Sequence, residues 1–483
     1  MSTNESDTIA PETSTEAGTT AAPGPASAAQ NQNRKQPFPQ GFLDEISNGW
    51  AERPDQMPPE RAQARFAARR RDAVSAAFPG RRLVLPAGSY KQRSNDTDYP
   101  FRPHSAFAHL TGWASDAVPD SVLVFEPTGE AGHDVTLHLR ERADRTTTEF
   151  YADATIGEFW IGPRPSLEGV AGELGIRTAH IGAFEARDGD LVLDEDDDLT
   201  RFVSELRLVK DEYEVAQMRL AVEVTARGFD DIVADLPRII DTPRGERAVE
   251  GIFHHRARVE GNGEGYDTIA ASGPHACYLH WTRNDGAVVP GDLILIDAGV
   301  EVDSLYTADI TRTLPVSGTF TEVQRRVYET VREAADAAFA VAKPGVKFRA
   351  VHEAAMAVIA RRTAEWGLLP VTADEALDAD RGGQHRRYMV HGTSHHLGID
   401  VHDCAQARRE MYYDGLLEEG MVFTIEPGLY FQIDDLTVPE EYRGIGVRIE
   451  DDVLVTANGV ENLSAGIPRT ADEVEAWIAR TAR

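Results

Sequence analysis

The chain has only two cysteines in 483 residues, Cys277 and Cys404. That scarcity excludes a disulfide framework and a zinc site built on thiolates. No apolar run approaches the ~20 residues that span a bilayer, so no membrane partner is expected. The opening residues, MSTNESDTIAPETS, lack the basic and apolar regions of a secretory leader. A cytoplasmic location is therefore the expectation. Positive charge is also scarce: 49 basic against 80 acidic residues leave a formal charge of −31. Phosphate backbones need a basic footprint, so nucleic acid is excluded as a partner class. Residues 1–36 have almost no large apolar side chains. Such a segment cannot offset its ordering entropy, and a disordered arm is expected there.

What remains is long enough for two ordinary domains. Over 37–205 a helical stretch (59–78) leads to short apolar or alternating runs at 82–86, 121–126 and 134–140. These are bounded by Gly, Pro or Asp, as strands are, and the region reads as an α/β domain. The acidic run 188–198, DGDLVLDEDDD, reads as a solvated surface loop. From 206 to 483 an α+β layer structure is expected. Val215, Met218, Val222, Phe229 and Val233 recur at helical spacing. Helices are also expected over 322–342, with Thr321 and Gln324 as a capping box, and over 348–366, closed by Gly367. Strands are expected at 292–298, 307–315, 421–426 and 446–456. The acidic segment 372–383 is either a loop near a site mouth or plain surface.

In this second half, charged or imidazole groups interrupt apolar strands at five places. Asp297 ends LILID, Asp309 sits in TADITRT, His395 in HGTSHHLG, Glu426 ends MVFTIE and Glu450 sits in GVRIEDDV. A carboxylate in an apolar run is costly unless something positive meets it. A single case reads as a buried salt bridge. Four with an imidazole point to a pair of divalent metals, whose charge the four carboxylates balance. An oxygen-rich set with one nitrogen suits Mn(II), Co(II) or Fe(II), with Zn(II) possible. His391 and His395 stand four apart, as in a helical zinc motif. Gly392 and Gly398 argue against a helix, and no Glu follows His391, so that reading is rejected. His396 is expected to point elsewhere. Arg448 and Glu450, two apart, should share one strand face.

Taken in order, IDAG, ADITRTLPVSG, HGTSHHLGIDVHD, TIEPGLY and RGIGVRIEDDV resemble the pita-bread dinuclear metallopeptidases, and among them the Xaa-Pro aminopeptidase (aminopeptidase P) family. RSNDTDYPFRPHSAFAHLTGW is similar to that family's N-terminal domain, and LRLVKDEYEVAQMRLA to the start of its catalytic domain. The resemblance covers nearly all of the chain after the N-terminal arm. It implies an α/β N-terminal domain on a pita-bread catalytic domain. It implies Asp297, Asp309, His395, Glu426 and Glu450 as ligands of two divalent ions, most simply Mn(II). Asp309 and Glu450 would bridge. It further implies substrate-side roles for His280, His391 and His402, an orienting role for Arg448 and a site-lining Tyr430. Asp96 and Trp160 would lie near a neighbouring subunit's site in a homo-oligomer, a dimer or tetramer. One departure is the segment VEVDSLYTA between Asp297 and Asp309, one residue longer than in many members. An extra residue inside a strand would flip a ligand to the wrong face, so it is expected in the turn, with Asp303 a turn residue.

The chemistry this implies is release of an N-terminal residue before proline. A metal-held hydroxide would attack the carbonyl. Glu426 would act as general base, His280 and His402 would stabilise the tetrahedral intermediate, and His391 would line the proline pocket. A prolidase acting on Xaa-Pro dipeptides shares fold and ligands. Methionine aminopeptidase lacks the large N-terminal domain. A non-catalytic binding relative, or a metal-free creatinase-like hydrolase, would lose ligands.

Overall fold

The structure, a computed structural model, describes residues 38–54, 57–95, 97–129 and 132–482. The expected disordered arm 1–36 and the candidate residue Asp96 lie outside the described residues.

The first region is built on a five-stranded sheet. Its spatial order is Arg177–His180, His133–Leu139, Val122–Pro127, Leu83–Pro86, Leu191–Val192. The central pairs are antiparallel and both edge strands are parallel to their neighbours. Alternation drives its layering. Leu83 and Leu85 enter one core with Phe107, Trp113, Leu123 and Phe125, while Val84 turns to the other face with Val122 and Val124. Two expectations need correction. The helix predicted over 59–78 is Ala64–Ala77, because Pro58 and Pro59 cannot donate and the Arg61 N–H is drawn to Glu173 O at 2.9 Å. The acidic run 188–198 is not a plain loop. Leu191 and Val192 pair with Leu83 and Val84, and Asp196 caps the helix Asp197–Glu205 through the Leu199 N–H. Asp197 and Asp198 stand in that helix's first turn, where negative charge is favoured.

The second region places helix pairs outside and strands inside. Glu212–Ile240 packs on Gly245–Glu260, and Glu322–Val341 packs on Arg349–Glu365. The capping box of Thr321 and Gln324 is present, and Gly367 takes the left-handed conformation just past the last helix. Between the helix pairs, Leu293–Ala298 lies between Ile269–Ser272 and Ile310–Pro315. Val422–Ile425 pairs with Asp451–Thr456, and Gly428–Tyr430 with Gly446–Arg448. The run predicted as one strand over 446–456 is two, broken at Ile449 and Glu450. The break lets one chain segment serve two sheets, and it falls on a candidate ligand. The segment 372–383 holds a short helix, Ala373–Ala376, and a turn.

Candidate functional site

The two innermost strands set the site. Asp297 lies opposite Thr311 in the antiparallel register, so Asp297, Thr311 and, two residues earlier, Asp309 share one face. The strands leave this register through a close approach at Gly299, where an added Cβ would stand 1.6 Å from Ala308 O. Only glycine fits there, which accounts for IDAG physically. The connection between the two strands closes in a turn. Leu305 N–H donates to Val302 O at 2.7 Å with Leu305 at φ 71°, and the pairing of ADITRT is undisturbed. Asp303 is a turn residue whose carbonyl accepts from Ser115 N–H at 3.2 Å.

Opposite this face stand His395, Glu426 and Glu450. The segment 391–398 is not helical. It runs beside Val422–Ile425, with Thr424 N–H donating to His395 O and Glu426 N–H to Thr393 O. His395 Nδ1 lies 3.2 Å from His396 O, so that nitrogen donates and Nε2 faces the acids. His395 Nε2 is 3.2 Å from Asp309 Oδ2 and 3.7 Å from Glu426 Oε1. Ligand atoms of Asp309, His395 and Glu450 all fall within 4.8 Å of one another. His396 turns away and stacks on Phe348 at 4.5 Å.

A cavity of about 580 Å³ opens on this cluster, and all five candidate ligands line it with His280, His391, His402 and Arg448. His402 stacks on His395 at 4.0 Å. His391 stands 3.5 Å from Glu426 Oε2 and 2.8 Å from the Tyr430 hydroxyl. Tyr430 stands behind the cavity wall and accepts from Arg448 at 3.1 Å. Its hydroxyl comes close because residue 428 is glycine, where a Cβ would meet it at 2.2 Å. His280 lies on a loop anchored by the fully buried Glu246, which accepts from Ser272 N–H, Gly286 N–H and Trp281 Nε1 and pairs with His275. Trp160 is elsewhere. It is 61% exposed in the first region, between exposed Phe159 and Ile161, with its ring N–H on Tyr151 O.

Three residues of the site escaped the sequence reading. Tyr266 donates toward Asp297 Oδ1 and Asp309 Oδ1 at 2.6 and 2.5 Å. Thr311 takes a hydrogen bond from Arg448 Nε at 3.1 Å and gives one to Glu450 Oε2 at 2.7 Å. Asp452 accepts from Asp309 N–H. Thr311 was findable, since it alternates with Asp309 in ADITRT. Tyr266 stands before an apolar strand and nothing in its type or spacing marks it.

The electrostatics describe a site short of positive charge. Burial, then the neighbouring acids, push Glu450 well above the carboxylate range. Burial also raises Asp309, and it raises Glu426 to about 7, in both cases against the pull of His395. His395 itself is raised to about 9, since its hydrogen bond to Asp309 and the charge of Glu426 outweigh burial. Burial and the Arg448 charge hold His391 down at about 3. Arg448 is committed to Asp297 Oδ2 at 2.5 Å. Buried carboxylates that repel one another, with a single imidazole aimed among them, form a donor set that fits divalent cations.

Two family models match the chain: metallopeptidase family M24 over residues 216–457, and the aminopeptidase P N-terminal domain over residues 66–189. The chain is 50% identical over 475 residues to Xaa-Pro aminopeptidase 1 of Streptomyces coelicolor, covering 93% of this chain and 94% of that relative. It is 32% identical over 459 residues to the Xaa-Pro aminopeptidase of Escherichia coli, covering 87% and 98%. Among solved structures it resembles the Pseudomonas aeruginosa aminopeptidase PepP, with a TM-score of 0.74, 33% identity, and coverage of 87% of this chain and 99% of that one.

Proposed function

This chain belongs to metallopeptidase family M24, and on that premise we propose that it is a metal-dependent aminopeptidase releasing the first residue of peptides with proline second. The observation that carries the reading is the convergence of three buried carboxylates, the half-buried Glu426, one imidazole and three further histidines on a single cavity. Asp297, Asp309, His395, Glu426 and Glu450 would hold two divalent ions, which we assign as Mn(II). When bound, these ions supply Lewis acidity to a carbonyl and to a water. The protein supplies the rest. Glu426 takes the proton of the attacking water and delivers it to the leaving nitrogen. His280 and His402 donate to the oxygen that becomes negative. Arg448, Thr311 and Tyr266 fix the carboxylate rotamers from behind. His391, backed by Tyr430, lines the proline side. An Xaa-Pro bond has no N–H, so recognition must come from such a ring pocket.

We assign 37–205 as the N-terminal domain and 206–483 as the catalytic domain, with the boundary near Leu206; the residues lining the cavity all come from the second. We assign a homo-oligomer, dimer or tetramer, to the same reading, supported by the consecutive exposed Phe159, Trp160 and Ile161, and give Trp160 and Asp96 a role near a neighbouring copy's site. A cytoplasmic location belongs to the same reading, and no described helix is long and apolar enough to cross a membrane. The test compares Arg-Pro-Pro with Ala-Pro as substrates of the Mn(II)-loaded protein. Faster release from the tripeptide is expected. A preference for the dipeptide would make the chain a prolidase.

A further inference from the structure

A second cavity, of about 250 Å³, adjoins the first. The two share His391, Gly392 and Ser394, so they meet along one chain segment. Its other walls are Phe348, Arg349, His352, Arg386, Thr393 and Tyr413. Its chemistry is unlike that of the metal cavity: three of these can donate from nitrogen and none is a carboxylate.

The state of each donor matters. Arg387, next in the chain, is taken by Asp435 through two hydrogen bonds of 2.8 Å. Arg386 has no carboxylate within ion-pair distance among the described residues and makes one bond, to Val390 O at 3.2 Å. Four of its guanidinium N–H donors are therefore unspent. Arg349 is held loosely, 3.6 Å from Glu353 and 3.4 Å from Asp414. His352 Nδ1 accepts the Thr393 N–H at 3.2 Å, which puts the proton of the neutral ring on Nε2 as a donor. Burial and the Arg386 charge keep that ring neutral. At the seam, Ser394 Oγ is buried with no hydrogen-bond partner among the described residues. A cavity with one unpaired guanidinium, a neutral imidazole donor and an unused hydroxyl is built for an anion with planar oxygens.

We propose that this cavity receives the residue after proline and holds a carboxylate there on Arg386. The proposal rests on the Xaa-Pro reading above, which puts proline against His391. One residue of extended chain spans about 3.3–3.6 Å, so the residue after proline lies beside the shared segment. The carboxylate has two sources: the C-terminus of a tripeptide, or an acidic side chain in a longer peptide. Either makes the cavity a specificity determinant that favours anionic leaving peptides.

The experiment uses the full chain loaded with Mn(II). The substrates are Ala-Pro-Ala against Ala-Pro-Ala-amide, and Ala-Pro-Glu-Ala-amide against Ala-Pro-Gln-Ala-amide. The free-acid tripeptide is expected to be preferred about tenfold in kcat/KM, through KM. A matching preference for Glu over Gln assigns the side chain as a second source, and its absence assigns the C-terminus alone. Arg386→Gln should reduce the preference below about twofold while turnover of the amides is unchanged, and Arg386→Lys should restore part of it. Equal cleavage of acid and amide by the wild type, or a variant that slows all four peptides alike, overturns the proposal. Calorimetric binding of Pro-Ala against Pro-Ala-amide is measured in parallel. Should no peptide be hydrolysed, a retained acid preference in binding upholds the cavity and refutes the peptidase reading, and equal binding refutes the cavity.

Discussion

Two clusters built around buried carboxylates are opposites in this molecule. At the junction of the two regions, Asp403 accepts from Arg207 at 2.9 Å and Lys210 at 3.1 Å, all three buried. Despite burial, those two cations hold its carboxyl well below the usual range. At the site, Asp309 and Glu450 face other acids, and burial with mutual repulsion drives them upward. The first group is complete as protein. The second is complete only with added positive charge. The sign of the displacement separates a structural cluster from a functional one more reliably than burial does.

The strongest test of the contrast is Asp309→Asn. Activity should fall by roughly a thousandfold or more, since several kcal/mol of metal-supplied stabilisation is lost. The metal-free variant should melt at or above the wild-type temperature, because a repelled acid has been removed. Asp403→Asn should do the reverse. It strands Arg207 and Lys210, at a cost of about 3–5 kcal/mol read by denaturant unfolding.

Acid should separate the two groups again. Asp403 has a depressed folded pKa, so its contribution is present above the unfolded value of about 3.9 and is lost as pH falls below it. Asp309 and Glu450 have raised folded values, so in metal-free protein they destabilise at neutral pH and cease to do so as they protonate. The stability gap between wild type and Asp403→Asn should therefore shrink on acidification below about pH 4, measured by denaturant midpoint in chelator. A gap independent of pH would break the comparison. The smallest expected effect is that of Thr311→Val, which removes the link between Arg448 and Glu450 while keeping shape. A loss of about tenfold to a hundredfold in metal affinity is expected, read by metal titration.

The five candidate ligands were legible because an acid or imidazole that breaks an apolar strand is conspicuous in sequence. The strand period likewise put Arg448 and Glu450 on one face, and both line the cavity. The junction was not legible. Arg207, Lys210 and Asp403 look like ordinary surface charges until chain segments some 190 residues apart are brought together, as the 193-residue separation of Lys210 from Asp403 shows. The acidic run 188–198 misled for the related reason that two apolar residues, Leu191 and Val192, suffice for an edge strand when a partner is already in place. Arg386 carried no signal at all, since what distinguishes it is the absence of a carboxylate partner among the described residues.

The most direct test of the central claim, that the repelling carboxylates are a metal site serving Xaa-Pro cleavage, is a single assay. Metal-stripped protein is given Arg-Pro-Pro and Arg-Ala-Pro, without and then with Mn(II), and free arginine is measured. Release from Arg-Pro-Pro alone, and only after metal is added, is the expected result. Release without metal, or equal release from both peptides, would contradict it.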